Sequence, residues 1–434
     1  MSVFETFCDH AANGRLELVQ QMIASGELQG DGNEHVAVVR AAKNGHVDVV
    51  DCLLGNAMFD PSAEDNRAIR VAARRGHLTV VKRLLQDTRV DPSADDSCAV
   101  RWAAGNGHLS VVERLMHDER VDPSAANNLA VRWVVENGHL AVLERLLQDK
   151  RVDPSVNGND ALRQAAKNGH LAVVERLLQD ARVDPSAGDN CVMRWAAENG
   201  HLLVVKQLLQ DPRVDPSSDN NYALRLAASN GQLAVVERLL QDERVDPSAD
   251  NNFALRLAAE NGHIAVVERL LQDKRVNPST FDNRAVRWAA RNGHLAVVER
   301  MLQDERVDPL ANGNFAIQSA ANNGHVAVVD RLLEDSRVDV AVAFRYSLPE
   351  NLKRFECRER LTEICIALQD LALPAWVTVQ ILDAARPWST LPLHSKWTLV
   401  CTIKHFHDAR LTKHSTPGND EPYSFELSTN VVQI

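Results

Sequence analysis

Histidine is the first residue type in this sequence whose spacing could support chemistry. His46, His77 and His108 begin a column that recurs every 31 residues, and imidazole serves as a metal ligand and as a general acid or base. Stacked helical units lie about 10 Å apart, whereas histidines that share a zinc ion must each approach it to about 2 Å. The column therefore predicts a structural role. His405 and His407 form one further pair, without a third ligand at suitable spacing.

Arginine forms a second column that could do chemistry. Its members are Arg70, Arg101, Arg132, Arg163, Arg194, Arg225, Arg256 and Arg287. Such a ladder could bind phosphates or an acidic peptide, or it could hold loop carbonyls and aspartates of neighbouring units. The structural interpretation is favoured, because arginine offers five donors in a rigid fork. Another arginine column, from Arg89 to Arg337, follows an aspartate by two residues and receives the same interpretation.

Catalytic and cofactor-binding motifs are not found in the sequence. It contains no glycine-rich phosphate loop, no HExxH and no nucleophile elbow. Most carboxylates belong to repeating columns, whereas a catalytic residue should break a repeat pattern. We therefore expect no enzyme activity, no cofactor and no metal. Seven scattered cysteines without a CxxC pair indicate a reducing compartment.

Charge and hydropathy narrow the classes of partner. The 434 residues carry a formal net charge of −11, and an acidic chain is not expected to bind nucleic acid, because its field repels phosphate. No secretory signal and no apolar run of about 18 residues occurs. These features predict an intracellular protein, cytoplasmic with the nucleus also open, that does not enter a membrane.

The candidate residues are positioned by a repeat. The dipeptide Asp-Pro recurs at 31-residue intervals from Asp60 to Asp308, with Asn277 in place of one aspartate, and a glycine recurs at the same interval from Gly45 to Gly324. Two markers in phase over this length indicate a repeat array of about eleven units, covering residues 1–341.

One unit can be interpreted physically. Asp246-Pro247-Ser248 is typical of a turn, and Asn252 precedes an apolar-periodic run as an N-cap would. Residues 253–261 form a predicted first helix, ended by Gly262 in a left-handed C′ position. Residues 264–271 form a second, amphipathic helix. Helices this short must stack on neighbouring units to bury their apolar faces, which predicts an all-α solenoid about 100 Å long at about 10 Å per unit.

The unit resembles the ankyrin repeat. The shared pattern is Ala-Ala-x-Asn-Gly-His-Leu-x-Val-Val-x-x-Leu-Leu, and it covers about 80% of the chain. The family period is about 33 residues, two more than here, and its Thr-Pro-Leu-His signature is replaced by patterns such as Phe253-Ala254-Leu255-Arg256. We therefore expect the β-hairpin of the family to be either shortened or reduced to an extended turn.

Three positions of each first helix should point away from the core, represented by Phe253, Leu257 and Glu260. The resemblance implies that this is the concave, partner-binding side. Large and charged side chains concentrate in these columns and could anchor an interface. The predicted partner-binding residues are Trp102, Leu129, Trp133, Glu136, Lys167, Trp195, Glu198, Tyr222, Phe253, Glu260, Trp288, Arg291 and Phe315.

Packing is the alternative role for these side chains. The tryptophan column at Trp102, Trp133, Trp195 and Trp288 could line a groove or fill gaps between adjacent units, and the sequence leaves both open. For Tyr222, Phe253 and Phe315, at the helix start, exposure is the expectation.

The repeat phase is lost after Val342. Residues 342–410 contain three apolar-periodic stretches and are predicted to form a helical cap or a small helical domain, and residues 411–434 a disordered tail. Leu373-Pro374 followed by an amphipathic stretch resembles the start of an F-box. The whole chain is therefore predicted to be a monomeric protein–protein interaction scaffold. The alternative is a substrate adaptor for a cullin-type ubiquitin ligase.

Overall fold

The structure, a computed structural model, describes residues 3–26, 28 and 33–338. This part of the chain contains 22 helices and no strand, which confirms the all-α prediction. Two compact units are present, with their boundary between Ala223 and Leu224, inside the first helix of one repeat.

The predicted C-terminal domains lie outside the described residues. This applies to the helical segment 342–410, which contains the F-box-like stretch that begins at Leu373-Pro374, and to the tail 411–434. Their boundaries therefore stay predictions.

Helices alternate between a first and a second member of each repeat. In the unit that ends at Ala223 they are α1 (Val3–Ala12), α2 (Leu16–Ser25), α3 (His35–Asn44), α4 (Val47–Leu54), α5 (Ala63–Arg75), α6 (Leu78–Leu84), α7 (Ala94–Gly105), α8 (Leu109–Met116), α9 (Ala125–Asn137), α10 (Leu140–Leu146), α11 (Val156–Asn168), α12 (Leu171–Leu178), α13 (Ala187–Glu198) and α14 (Leu202–Gln210). The boundary falls in α15 (Ser218–Ser229), and the other unit contains α16 (Leu233–Leu240), α17 (Ala249–Glu260), α18 (Ile264–Leu271), α19 (Thr280–Arg291), α20 (Leu295–Leu302), α21 (Ala311–Asn322) and α22 (Val326–Leu333).

Each helix pair is stabilised by burying its apolar side chains against the helices of the neighbouring repeats. Within each unit, first helices pack on the next first helix, as α3 does on α5, and second helices pack on the next second helix, as α4 does on α6. The alanine pair Ala258 and Ala259 is fully buried, and its small size lets adjacent first helices approach closely. Leu270 on α18 is also fully buried. Burial of one such leucine contributes about 1.5–3 kcal/mol.

A left-handed turn stands where the ankyrin hairpin was expected to be shortened. In α17 the residues Asp250, Asn251 and Asn252 have φ between 49° and 59°, and the right-handed helix continues from Phe253. Among the described residues, every non-glycine with positive φ lies in such a turn. Asparagine and aspartate tolerate this conformation better than other non-glycine residues, which explains why they dominate these positions.

The N-cap prediction for Asn252 was wrong, because this side chain bonds to a loop. Its Oδ1 accepts a hydrogen bond of 2.8 Å from the backbone N–H of Asn277, 25 residues further on. Asn190 accepts the equivalent hydrogen bond from the backbone N–H of Asp215. In another repeat Ser97 takes the place of the asparagine, and its hydroxyl oxygen accepts the bond from the backbone N–H of Asp122. This buried column joins the turn of one repeat to the Asp-Pro turn of the next.

The glycine and histidine columns also join repeats. Gly76 ends α5 with φ +79°, as the sequence predicted. A Cβ on this glycine would lie 2.7 Å from Nδ1 of His108, the histidine of the next repeat. His108 in turn donates from Nε2 to the carbonyl of Arg74, at 3.1 Å. The histidines are therefore structural, as expected.

Most of the loop arginines bond one repeat to the repeat before it. Arg120 donates Nε and Nη2 to the two carboxylate oxygens of Asp118, at 2.9 and 2.7 Å. Its Nη1 then reaches the carbonyl of Val90, 30 residues earlier, at 3.2 Å. The aspartate thus orients the guanidinium that closes the joint, which confirms the structural interpretation of this column.

Candidate partner-binding face

The outward side of the first helices lies where the helical wheel predicted it. In α17 the core side is buried at Ala254, Leu255, Ala258 and Ala259. The opposite positions, Phe253, Leu257 and Glu260, are all half-buried and reach solvent.

The thirteen predicted partner-binding residues all reach solvent. Glu136, Lys167, Trp195 and Arg291 are exposed. The half-buried members are Trp102, Leu129, Trp133, Glu198, Tyr222, Phe253, Glu260, Trp288 and Phe315. Their role as partner contacts stays a prediction, because burial shows only that they are accessible.

The outward columns are not accessible at every repeat. Cys98 and Cys191 occupy the same column as Phe253 but are buried, at 3% and 7% exposed, and Ser319 is buried in the column of Leu257. Burial raises the pKa of the Cys98 thiol above its usual value, so this group stays neutral at physiological pH.

The helix arginine column has the structural role that was favoured. Arg101 donates Nε and Nη2 to the carbonyls of Asp96 and Asp95, which belong to its own left-handed turn. Arg70 forms an ion pair with Asp95 of the following repeat. These bonds fix the turn against the helix, so the ladder is not a free phosphate track.

Arginines and lysines also stack on the predicted aromatic anchors. Arg74 lies 5.3 Å from the ring centre of Trp102, and Lys167 lies 5.2 Å from that of Trp195. Cations over aromatic faces contribute about 0.5–1 kcal/mol at exposed sites. The pairs hold the rings in fixed orientations on the face.

The expectation of exposure for Tyr222, Phe253 and Phe315 was only partly right. Each ring is half-buried, because an arginine of the preceding repeat lies over it. The distance is 5.3 Å from Arg194 to Tyr222 and 5.2 Å from Arg287 to Phe315.

A recess of about 400 Å³ opens between α5, α7 and α9 on this face. Its lining is Arg74, Trp102, Gly105, Asn106, Trp133, Glu136 and Asn137. Gly105 makes the recess possible, because a Cβ there would stand 3.1 Å from the Cβ of Trp133. The tryptophan column is therefore packed between repeats on one side and open to solvent on the other.

The recess combines aromatic surface with both signs of charge. Arg74 and Glu136 are exposed at opposite ends, and the described part of the chain offers neither of them a charged partner within 4 Å. Tryptophan and arginine are the residues that most often dominate the binding energy of protein interfaces.

The family is settled by comparison with known proteins. The model of ankyrin repeats matches three consecutive stretches, residues 7–96, 100–189 and 193–282. The chain belongs to the ankyrin-repeat family. No curated protein matches it. Ankyrin repeats are generally protein–protein interaction modules, and the proteins built from them are typically non-catalytic scaffolds.

The described part of the ankyrin array was also compared with the requirements of a metal site and of a membrane span. Residues 3–26, 28 and 33–338 contain no group of histidine, cysteine, aspartate and glutamate side chains that could hold a metal. Over the same ranges, none of the helices has both the length and the apolar character needed to cross a membrane.

One exposed aromatic of this ankyrin array was missed by the sequence analysis. Phe281 is 49% exposed and occupies the first left-handed position of α19. Neighbouring repeats have Asp219, Asp250 and Asn312 at this position. The substitution of a phenylalanine into a column of turn residues was the available signal.

Proposed function

We propose that this ankyrin-repeat protein is a non-catalytic interaction scaffold that binds a partner protein through its first-helix face. The recess at Trp102 and Trp133 is the observation that carries the proposal. It offers a preformed apolar site with a cation and an anion at its ends, which is the composition of an interface hot spot.

The form of the recess favours a peptide or loop over a small substrate. It is open rather than enclosed, and its polar lining consists of Asn106, Asn137 and the two side chains of opposite charge. Small-molecule sites bury most of their ligand in a cavity. A protruding apolar side chain of a partner, flanked by polar groups, fits the recess better.

Charge reversal at Glu136 tests this proposal. Glu136→Lys changes an exposed side chain at one end of the recess, so the melting temperature should change by less than about 2 °C. Partners purified with the full chain should be depleted at least tenfold, because one end of the site now repels its counterpart. The depletion is measured by mass spectrometry of the proteins that co-purify with each variant from cells that naturally contain this protein.

The matched control is Glu144→Lys. Glu144 is an exposed glutamate on α10, the second helix of the same repeat, and its reversal makes the same change in net charge. The control should retain every partner. Equal recovery of partners by both variants and by the wild type would contradict a binding site at the recess.

The adaptor alternative depends on residues 351–409, which lie outside the described residues. Recruitment of a cullin-type ubiquitin ligase therefore stays a prediction. The monomeric state and the intracellular location also stay predictions.

A further inference from the structure

In three repeats the first left-handed position is an aspartate, called here the column acid, which has a partner in the repeat before it. Where this position is an aspartate, its carboxylate pairs with the helix arginine 25 residues earlier. Arg194 thus lies 3.6 Å from Asp219, and Arg225 lies 3.4 Å from Asp250. In these repeats the column acid neutralises the charge of the helix arginine.

Phe281 stands where the two preceding repeats have Asp219 and Asp250; Ala126, Asn157, Gly188 and Asn312 also lack a carboxylate at this position, but none of them is a large apolar side chain. The arginine 25 residues earlier is Arg256, which is only 4% exposed and has no carboxylate within 4 Å among the described residues. Its Nη2 donates to the carbonyl of Asp250 at 2.9 Å. Arg256 is therefore a buried positive charge without the column acid that Arg194 and Arg225 have.

The phenylalanine is also unfavourable for the turn itself. A bulky side chain with φ near +50° is a conformational outlier, and half of this ring is exposed to water. Asparagine or aspartate would avoid both costs. Backbone outliers of this kind concentrate at functional sites, where the strained residue has a role besides stability.

Phe281 lies at the centre of a continuous stack on the outward side of α17 and α19. The guanidinium of Arg256 lies 4.4 Å from the ring centre of Phe253 and 4.8 Å from that of Phe281. Arg284 lies 5.6 Å from Phe281 and 4.5 Å from Trp288. Two cations thus bracket one exposed ring.

The cations of this stack form no ion pair in the part of the chain that the structure describes, and only the more distant Asp250 and Glu260 partly offset the charge of Arg256. Arg284 and Arg291 on α19 have no carboxylate within 4 Å in the part of the chain that the structure describes. The pKa of Arg256 is lowered, first by its burial and then by the charge of Arg284. An added negative charge would relieve this repulsion.

We propose that Phe281 and Arg284 bind an acidic peptide segment of a partner protein. A carboxylate of the segment pairs with Arg284 and offsets the charge of Arg256, as the column acid does for Arg194 and Arg225. An apolar side chain beside that carboxylate covers the exposed ring of Phe281. The inference rests on the proposed function in general form, that the first-helix face binds partners, and does not depend on the recess at Trp102.

A displayed library of random 12-residue peptides, selected on the full chain, tests the proposal. Enriched peptides should carry aspartate or glutamate next to leucine, isoleucine or an aromatic residue. One such peptide, labelled with a fluorophore, is then titrated by anisotropy. Its affinity should weaken at least tenfold with Phe281→Asp and with Arg284→Glu, and also when salt is raised from 50 to 500 mM.

Phe281→Asp separates binding from folding. It restores the column acid opposite Arg256, so its melting temperature should equal or exceed that of the wild type while binding is lost. Asp219→Asn, which removes the column acid of a different repeat, is the matched control and should leave the affinity within twofold. Glu136→Lys should also leave it unchanged, because the recess is a different site.

Three outcomes overturn the proposal. They are enrichment of peptides without carboxylates, failure to enrich any peptide, and retention of binding by Phe281→Asp. Peptides that lose affinity with Glu136→Lys instead would support the recess while rejecting the site at Phe281. The failure of this inference is thus distinguishable from failure of the proposed function.

Discussion

At the scale of single residues, the repeat glycines satisfy two constraints at once. Each adopts a left-handed conformation at the end of its first helix, and most also face the imidazole of the following repeat. Only glycine meets both conditions, because any Cβ costs conformational strain and also meets the ring. The Asn-Gly-His pattern is therefore a contact between repeats as well as a helix end.

Two glycine substitutions separate these constraints. Gly158 has φ +66° and open space around it, whereas Gly138 has φ +76° and would place a Cβ 2.7 Å from Nδ1 of His170. Gly158→Ala should cost about 1–2 kcal/mol from backbone strain alone. Gly138→Ala should cost about 1–3 kcal/mol more, because the imidazole must move. Urea denaturation of both variants measures the difference, and equal losses would contradict a role for the histidine contact.

At the scale of elements, the left-handed turn joins neighbouring repeats at the place of the family's β-hairpin. Asn190 is 8% exposed and accepts a hydrogen bond from the backbone of Asp215 at 2.8 Å. The bond satisfies a backbone N–H where a hairpin ladder is absent. The turn residues are thus chosen for two reasons, their tolerance of positive φ and their ability to accept this bond.

Substitutions at Asn190 test this link between repeats. Asn190→Ala leaves the N–H of Asp215 without its acceptor and should lower the free energy of unfolding by about 1–3 kcal/mol. Asn190→Ser should lose less, because Ser97 makes the equivalent bond in its own repeat, at 2.9 Å. Thermal and urea unfolding measure both values. A serine variant as unstable as the alanine variant would show that backbone conformation, not the hydrogen bond, is what matters.

At the scale of the whole molecule, one carboxylate per repeat links stability to pH. The pKa values of Asp87, Asp118, Asp149, Asp180, Asp211, Asp242, Asp273, Asp304 and Asp335 are all lowered, first by hydrogen bonds from the arginine two residues further on. Each carboxylate contributes little to the free energy of unfolding, but protonation weakens the same Asp–Arg pair in repeat after repeat.

The sign of the pH effect follows from these lowered values. The folded protein binds fewer protons than the unfolded chain, so the stabilisation is fully present above the ordinary aspartate pKa of 3.8 and is lost as pH falls through the lower folded values. The melting temperature should therefore be nearly constant from pH 7 to about pH 5 and fall steeply below about pH 4. Scanning calorimetry measures it, and a melting temperature that stays constant down to pH 3 would contradict the prediction.

The sequence by itself determined the repeat, its helices and its family. The 31-residue period, the apolar spacing of Val266 and Leu270, and Gly262 after the first helix are local patterns. Local patterns report which backbone conformation a segment prefers and which side must be buried. The outward positions of the first helices followed from the same periodicity.

The tertiary structure decided what the non-local contacts do. Asn252 has the local pattern of an N-cap, but its side chain bonds to Asn277, and Phe253 is predicted to be exposed, but Arg225 of the preceding repeat lies over its ring. The recess at Gly105 likewise depends on Trp133 of the next repeat. These contacts join residues about 25 to 35 positions apart, and a side chain's partner across that separation depends on how the repeats stack, which single-sequence periodicity does not encode.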